Sequence, residues 1–225
     1  MKHIVVAGGT DGLGRAAALD RLAKGDTVVV IGRNPMRGAE FLAAAEALGG
    51  GDRFVLGYEM LDLLAAAPRP LILNVAGPGS GTGQIRWGDL GFAQGYHGLR
   101  ALSQGGQLND LLGIEFARRA PAPVRYVLLH PGVVDTGLSG DYDLEMAARV
   151  QAMRVGAQSV AQAVRPILDV LNNPPADPLT AIVQGRPLDV RGPAFDSAAA
   201  ARLFGETTRL LADFGVPSPV GAGES

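Results

Sequence analysis

The sequence predicts an α/β fold: a doubly wound parallel sheet in a single domain. Three observations predict it. The first stretch, 1–33, reads as strand, glycine-rich turn, helix, strand. Short apolar runs recur at Ile4–Ala7, Thr27–Ile31, Leu71–Ala76, Val124–Leu129 and Thr180–Val183. Such runs, lacking polar alternation, suit strands covered on both faces. Between them lie segments with apolar residues at helical period, and strands alternating with helices build parallel sheets.

The opening module fixes the rest. Ile4–Ala7 leads into Gly8-Gly9-Thr10-Asp11-Gly12-Leu13-Gly14. A helix follows, with Leu13, Ala16, Ala17, Leu22 and Ala23 expected on one side. Gly25 supplies a left-handed cap. Thr27–Ile31 is the second strand, and the whole has the length of one βαβ unit. Backbone amides at a helix start carry partial positive charge, and a glycine turn lets a diphosphate approach them. The strand–turn–helix context lifts this pattern above a lone glycine motif and points to a dinucleotide. A merely tight structural turn is the other reading. No acid ends the second strand to meet a ribose hydroxyl. Arg33 stands there instead, which favours a 2′-phosphate and hence NADP over NAD. A solvated arginine is the plainer alternative.

Further along, Pro35–Leu48 forms an alanine-rich helix with Phe41, Leu42, Ala45 and Leu48 on one face; Gly49-Gly50-Gly51 breaks it. Arg53–Ala67 fits a helix better than a strand, and Pro68 stops it. After the strand at Leu71–Ala76 comes a glycine-rich loop, 77–83. Gln104–Arg119 reads as a helix with Leu108, Leu111, Leu112 and Phe116 inward, its start weakened by Gly105 and Gly106. His130-Pro131-Gly132-Val133-Val134-Asp135-Thr136 follows the next strand, at the carboxyl end where open α/β sheets bind ligands. Asp143 caps a helix running to Val155. Ser159 and Gln162 make a capping box, and Pro166 kinks or delays the helix after it. Asn172–Pro178 connects to the last strand, and Asp196 caps a final helix with Ala200, Leu203, Phe204, Thr207 and Leu211 on one face. The domain runs over 1–214, with a loose tail over 215–225.

Composition excludes several classes. At 225 residues with net charge −2, there is no nucleic-acid footprint. There are no cysteines, and His3, His97 and His130 have no metal-ligand spacing. No apolar run approaches the ~20 residues of a membrane span. The N-terminus enters a strand at once, which leaves no room for a signal peptide. A cytoplasmic protein without membrane or nucleic-acid partners is expected.

These residues resemble the short-chain dehydrogenases/reductases. Gly8-x-x-x-Gly12-x-Gly14 resembles their cofactor turn, and Pro131-Gly132-x-Val134-x-Thr136 resembles the loop that contacts the nicotinamide end. The run Leu128–Val134 and the closing Arg202-Leu203-Phe204-x-Glu206 are most similar to the retinol-dehydrogenase and protochlorophyllide-reductase branch. The resemblance implies a Rossmann-like sheet, NADP(H), hydride exchange with a small carbonyl or alcohol substrate (or an activated double bond), and a homodimer or homotetramer. The cofactor contacts it implies are Gly8, Thr10, Asp11, Gly12, Leu13, Gly14, Arg33, Asn74, Ala76, Pro131, Gly132, Val134 and Thr136.

Two departures stand out. The family places a serine after its fifth strand and a Tyr-x-x-x-Lys pair on the following helix. The lysine lowers the phenol pKa, and the tyrosine is the general acid or base. In the ungapped register those places hold Ala76 or Gly77, Leu102 and Gly106, and none of these moves a proton. A slipped register offers Tyr96 with Arg100, and Ser80 for the serine; the bland alternative is a loop tyrosine and a solvated arginine. The second departure is length: a strand, a helix and a further strand have no room between residues 51 and 53. Omitted residues, a sheet closed up with Leu71–Ala76 beside Ile4–Ala7, or a remnant with weakened cofactor binding would each account for this. Beside the oxidoreductase stands the alternative of a catalytically inactive nucleotide-binding sensor or partner subunit.

Overall fold

In the computed structural model the described residues are 1–32, 35–47, 67–79, 85–119, 124–136 and 144–213. The helix expected for Arg53–Ala67, all but its last residue, the short join at 51–53, Arg33, Ser80 and Asp143 lie outside them. The chain divides into two compact units, Met1–Tyr58 with Pro131–Asn173, and Glu59–His130 with Pro174–Ser225.

The first unit carries β1 (His3–Ala7), α1 (Gly12–Ala23), β2 (Thr27–Ile31) and α2 (Pro35–Ala47). β1 and β2 pair in parallel, His3 opposite Thr27 through Ala7 opposite Ile31. Ala18, Leu22, Val28, Val30, Phe41 and Ala45 form its core, with Val6 and Leu19 packed against them. Helix α1 ends as expected: Gly25 has φ +79° and its amide reaches Leu22 O at 2.9 Å. Its buried face differs from the expectation, being Ala17, Ala18, Arg21 and Leu22, while Ala23 is exposed. Asp26 is the cause. Its carboxylate draws the Arg21 guanidinium inward and also accepts from the Lys2 amide at 2.7 Å. Arg21 Nη1 continues to Asn172 Oδ1 at 2.7 Å, and Lys2 Nζ to Leu171 O at 2.6 Å. This polar staple ties the N-terminus to a distant stretch of the same unit. Burial pushes the Asp26 carboxyl up, but the Lys2 amide and Arg21 outweigh it, and the group ends below its ordinary range.

The same unit holds α4 (Leu144–Arg154), α5 (Val160–Ala163) and α6 (Arg165–Asn172). Ser159 and Gln162 form the expected reciprocal cap. Pro166 falls in the first turn of α6, where its missing N–H costs nothing.

The second unit is a four-stranded sheet, β3 (Leu71–Val75), β4 (Arg125–His130), β5 (Leu179–Val183) and β6 (Arg186–Leu188), in that order. The first two pairings are parallel and the last is antiparallel. β6 was not expected. It is reached through Gln184 and Gly185, both at positive φ (+50° and +77°), which is the backbone of a tight two-residue hairpin. Helix α3 spans Gly98–Arg119, starting six residues before the expected Gln104, and α7 spans Ser197–Asp213 behind the Asp196 cap. Leu111, Ala200 and Leu203 form one core cluster, and Tyr126, Leu128, Ala181 and Phe195 another. Leu112, expected inward, is exposed; Gln104, Asp110 and Glu115 are buried instead. Glu115 is held by Arg118 and Arg119, whose hydrogen bonds pull its carboxyl below the usual range despite its burial. Arg119 also lies 4.1 Å over the Phe204 ring, and Arg202 4.1 Å over Trp87.

Candidate functional site

The turn after β1 is built backbone first. Gly8 N donates to Ile31 O at 2.7 Å, which pins the turn to the end of β2. Asp11 is extended and caps α1, its carboxylate accepting from Gly12 N at 2.8 Å. No acidic residue follows in the first turn of α1, so its positive end meets no countercharge inside the helix. Gly14 is dictated by space and Gly12 by its backbone. A Cβ on Gly14 would lie 2.4 Å from Gly8 O, so only glycine lets α1 seat on the turn. Gly12 has φ +50°, and a Cβ there would lie 3.1 Å from Thr136 Cγ2.

That second approach joins the two sequence motifs. Pro131–Thr136 follows β4, with Pro131 and Gly132 buried. Gln158 fixes this loop: its amide donates to Val133 O at 2.9 Å, its carbonyl accepts from Asp135 N at 3.0 Å, and its side chain donates to Pro131 O. Gln158 was missed in the sequence because a lone glutamine after a helix carries no motif. The loop so held sets Thr136 against Gly12.

Arg33 lies outside the described residues. A second guanidinium, Arg37 in the first turn of α2, pairs with the Asp11 carboxylate and stands at the turn. Its place four residues after Arg33 was the available signal. The turn therefore fits a nucleotide diphosphate on its own geometry: a cradle closed to side chains at Gly14 and Gly12, open space beside Gly8, a helix start and a cation.

The second unit holds the other sequence-derived residues. Asn74 Nδ2 donates to the Tyr126 hydroxyl at 3.3 Å, and Ala76 N reaches Leu129 O at 3.0 Å. Tyr96 precedes α3 and is 74% exposed; Arg100, in the first turn of α3, is also exposed. At the ungapped register positions, Leu102 is 69% exposed and Gly106 half-buried on the helix.

Asp110, which the sequence reading passed over, is fully buried on α3. Its Oδ2 accepts from Gly79 N at 2.9 Å, in the loop that follows β3. Burial pushes its carboxyl up to about 6, against a smaller pull from the Gly79 amide. Tyr126 is pushed up as well, by burial first and by the Asp110 charge, with the Asn74 hydrogen bond opposing. Among the described residues there is no cluster of three metal-binding side chains, and no helix is long and apolar enough to cross a membrane.

No family model matches the sequence. Over 54 residues, 24% of this chain, it is 46% identical to a 3beta-hydroxysteroid dehydrogenase of Mediterraneibacter gnavus; the match covers 20% of that protein. The chain thus spans about a fifth of the curated relative it matches. Among solved structures, an uncharacterized protein from Mycobacterium paratuberculosis aligns with TM-score 0.59 at 20% identity, over 97% of this chain and 95% of the other. A short-chain dehydrogenase from Shigella flexneri, solved with NADP, aligns with TM-score 0.54 at 16% identity, over 82% and 97%. The architecture is α/β with parallel strands, a fold that it shares with the short-chain dehydrogenase from Shigella flexneri.

Proposed function

We propose that the chain is an NADP(H)-dependent oxidoreductase of the short-chain type, close to the retinol-dehydrogenase branch, that moves hydride to or from a carbonyl or alcohol carbon of a small molecule. The observation that carries this is the meeting of Gly12 with Thr136, which brings the phosphate turn and the Pro131–Thr136 loop together within one unit. Two distant stretches with this backbone geometry suit one extended dinucleotide. The cofactor supplies the hydride chemistry, and the protein supplies binding and orientation. Gly8, Thr10, Asp11, Gly12, Leu13 and Gly14 would hold the diphosphate, and Arg33 the 2′-phosphate. Pro131, Gly132, Val134 and Thr136, with Asn74 and Ala76, would contact the nicotinamide end. Tyr96 is the proton donor of this reading, with Arg100 and Ser80 as its partners. A cytoplasmic homodimer or homotetramer completes it.

A specific observation favours a second reading. Leu102 and Gly106 occupy the places of the family's acid and its lysine, which suits a sensor that holds nucleotide without turnover.

Fluorescence titration with NADPH and NADH, followed by absorbance assays over carbonyl compounds and hydroxysteroids, tests both. NADPH binding with turnover that Tyr96→Phe abolishes supports the enzyme and its proton donor. Tight NADPH binding without turnover on any substrate supports the sensor. No nucleotide binding overturns both.

A further inference from the structure

Helix α3 turns a polar stripe inward, Gln104, Gln107 and Asp110, spaced three residues apart. Gln104 is fully used: its Oε1 accepts from Arg86 N at 2.8 Å and its Nε2 donates to Leu90 O at 3.0 Å. The other two are not. Gln107 Oε1 and Asp110 Oδ1 are both buried acceptors with no hydrogen-bond donor among the described residues. Two such orphans in one stripe are costly, since each loses its water without replacement. Residues three apart on a helix are neighbours. One proton on Asp110 Oδ1, donated to Gln107 Oε1, satisfies both atoms at once and leaves Oδ2 accepting from Gly79 N.

We propose that Asp110 in its protonated form shares its proton with Gln107, and that this pair is the positioning element for the loop after β3. The loop's place beside a cofactor rests on the proposed function; the proton does not.

Among the described residues, the charged groups on the surrounding elements have partners of their own. Among the described residues, Tyr126 on β4 is the titratable group that feels the Asp110 charge, and Asn74 on β3 is bonded to its hydroxyl. On α7, Arg202 lies over Trp87 and Arg209 pairs with Glu206; before α3, Arg86 pairs with Asp89. Glu115, Arg118 and Arg119 on α3 pair with one another. Burial is therefore the main force on the carboxyl, and it favours the protonated form.

The test uses the full chain labelled with carboxyl-13C aspartate, the Asp110 signal being assigned by its loss in Asp110→Asn. The midpoint is expected near 6, and in Gln107→Leu it falls, because the proton has lost its acceptor. A midpoint in the ordinary range near 4 overturns the proposal. So does a rise or no change in Gln107→Leu, which would mean that the glutamine amide donates to a carboxylate. Positioning is read by hydrogen exchange at the Gly79 amide. Protection is expected to hold in Asp110→Asn, the permanently neutral mimic, and to drop about tenfold or more in Asp110→Leu, which cannot accept. Equal exchange in the two variants overturns the positioning role, and the core amides report whether Asp110→Leu is folded. NADPH titration of the same variants separates the two layers. Weaker binding in Asp110→Leu supports the loop's place at the cofactor, unchanged binding overturns that part, and no binding in the parent protein overturns the proposed function while leaving the proton standing.

Discussion

Among the described residues each unit buries one aspartate, and the two are opposites. Asp26 in the first unit has a full set of donors, Arg21 and the Lys2 amide. Asp110 in the second has one amide and, among the described residues, an oxygen with nothing to accept from. The same residue type, equally hidden, holds its charge more tightly in one place and its proton more tightly in the other. Burial alone does not decide a carboxylate's role; the count of donors does.

The largest expected effect breaks the satisfied site. Asp26→Ala leaves the Arg21 guanidinium buried without its counterion, and removing one partner of a buried pair costs about 3–5 kcal/mol. Urea denaturation of the variant checks this. The pair also sets an acid limit. The Asp26 pKa is depressed in the folded state, so its stabilisation is present above its unfolded value of 3.8 and is lost as pH falls through the lower folded value. Asp26→Asn should flatten the acid limb of stability against pH.

Asp110 has the reverse sign. Its folded pKa is raised, so its contribution is present below 3.8 and is lost as pH rises through about 6. A rise of about two units corresponds to ~3 kcal/mol given up by neutral pH. Asp110→Asn should therefore be more stable than the parent at pH 8, by up to ~3 kcal/mol, and equal to it near pH 4. Thermal unfolding across that range measures both. A variant that is less stable than the parent at every pH would remove the contrast with Asp26.

How far the sequence revealed this follows the range of the forces involved. The glycine turn, β2, the Gly25 cap and the Ser159–Gln162 box were legible because each is a local backbone requirement written in consecutive residues. Leu108 and Phe116 came from periodicity and do pack against the core clusters. Arg21 and Asp110 were not legible. Helical period reads polar residues as solvent-facing, and only a partner elsewhere in the fold turns them in: Asp26 for Arg21, the Gly79 amide for Asp110. Gln158 is the same case, since it holds the Pro131–Thr136 loop through contacts that no pattern announces. β6 was missed because Gln184 at positive φ is an uncommon hairpin residue. The early start of α3 was missed because glycines at 105 and 106 read as a helix boundary.

Those glycines extend the comparison to a second residue type. Gly14 and Gly105 both lie inside helices, yet they should respond to a methyl group in opposite directions. A Cβ on Gly14 would meet Gly8 O at 2.4 Å, and backbone cannot swing aside as a side-chain tip can. Gly14→Ala should cost about 1–3 kcal/mol, as overpacking does, and weaken NADPH binding about tenfold or more by pushing α1 off the turn.

Among the described residues, a Cβ on Gly105 meets nothing within 4 Å. Gly105→Ala there only removes unfolded-state freedom and supplies helix propensity, for a gain of about 0.5–1 kcal/mol. NADPH affinity should stay unchanged, because the residue lies on α3 away from the glycine turn in sequence and in unit. A gain in the urea midpoint with constant slope would show that Gly105 has no close neighbour. A loss would show that the space beside it is occupied when the protein is assembled in solution, and would place a partner on that face of α3.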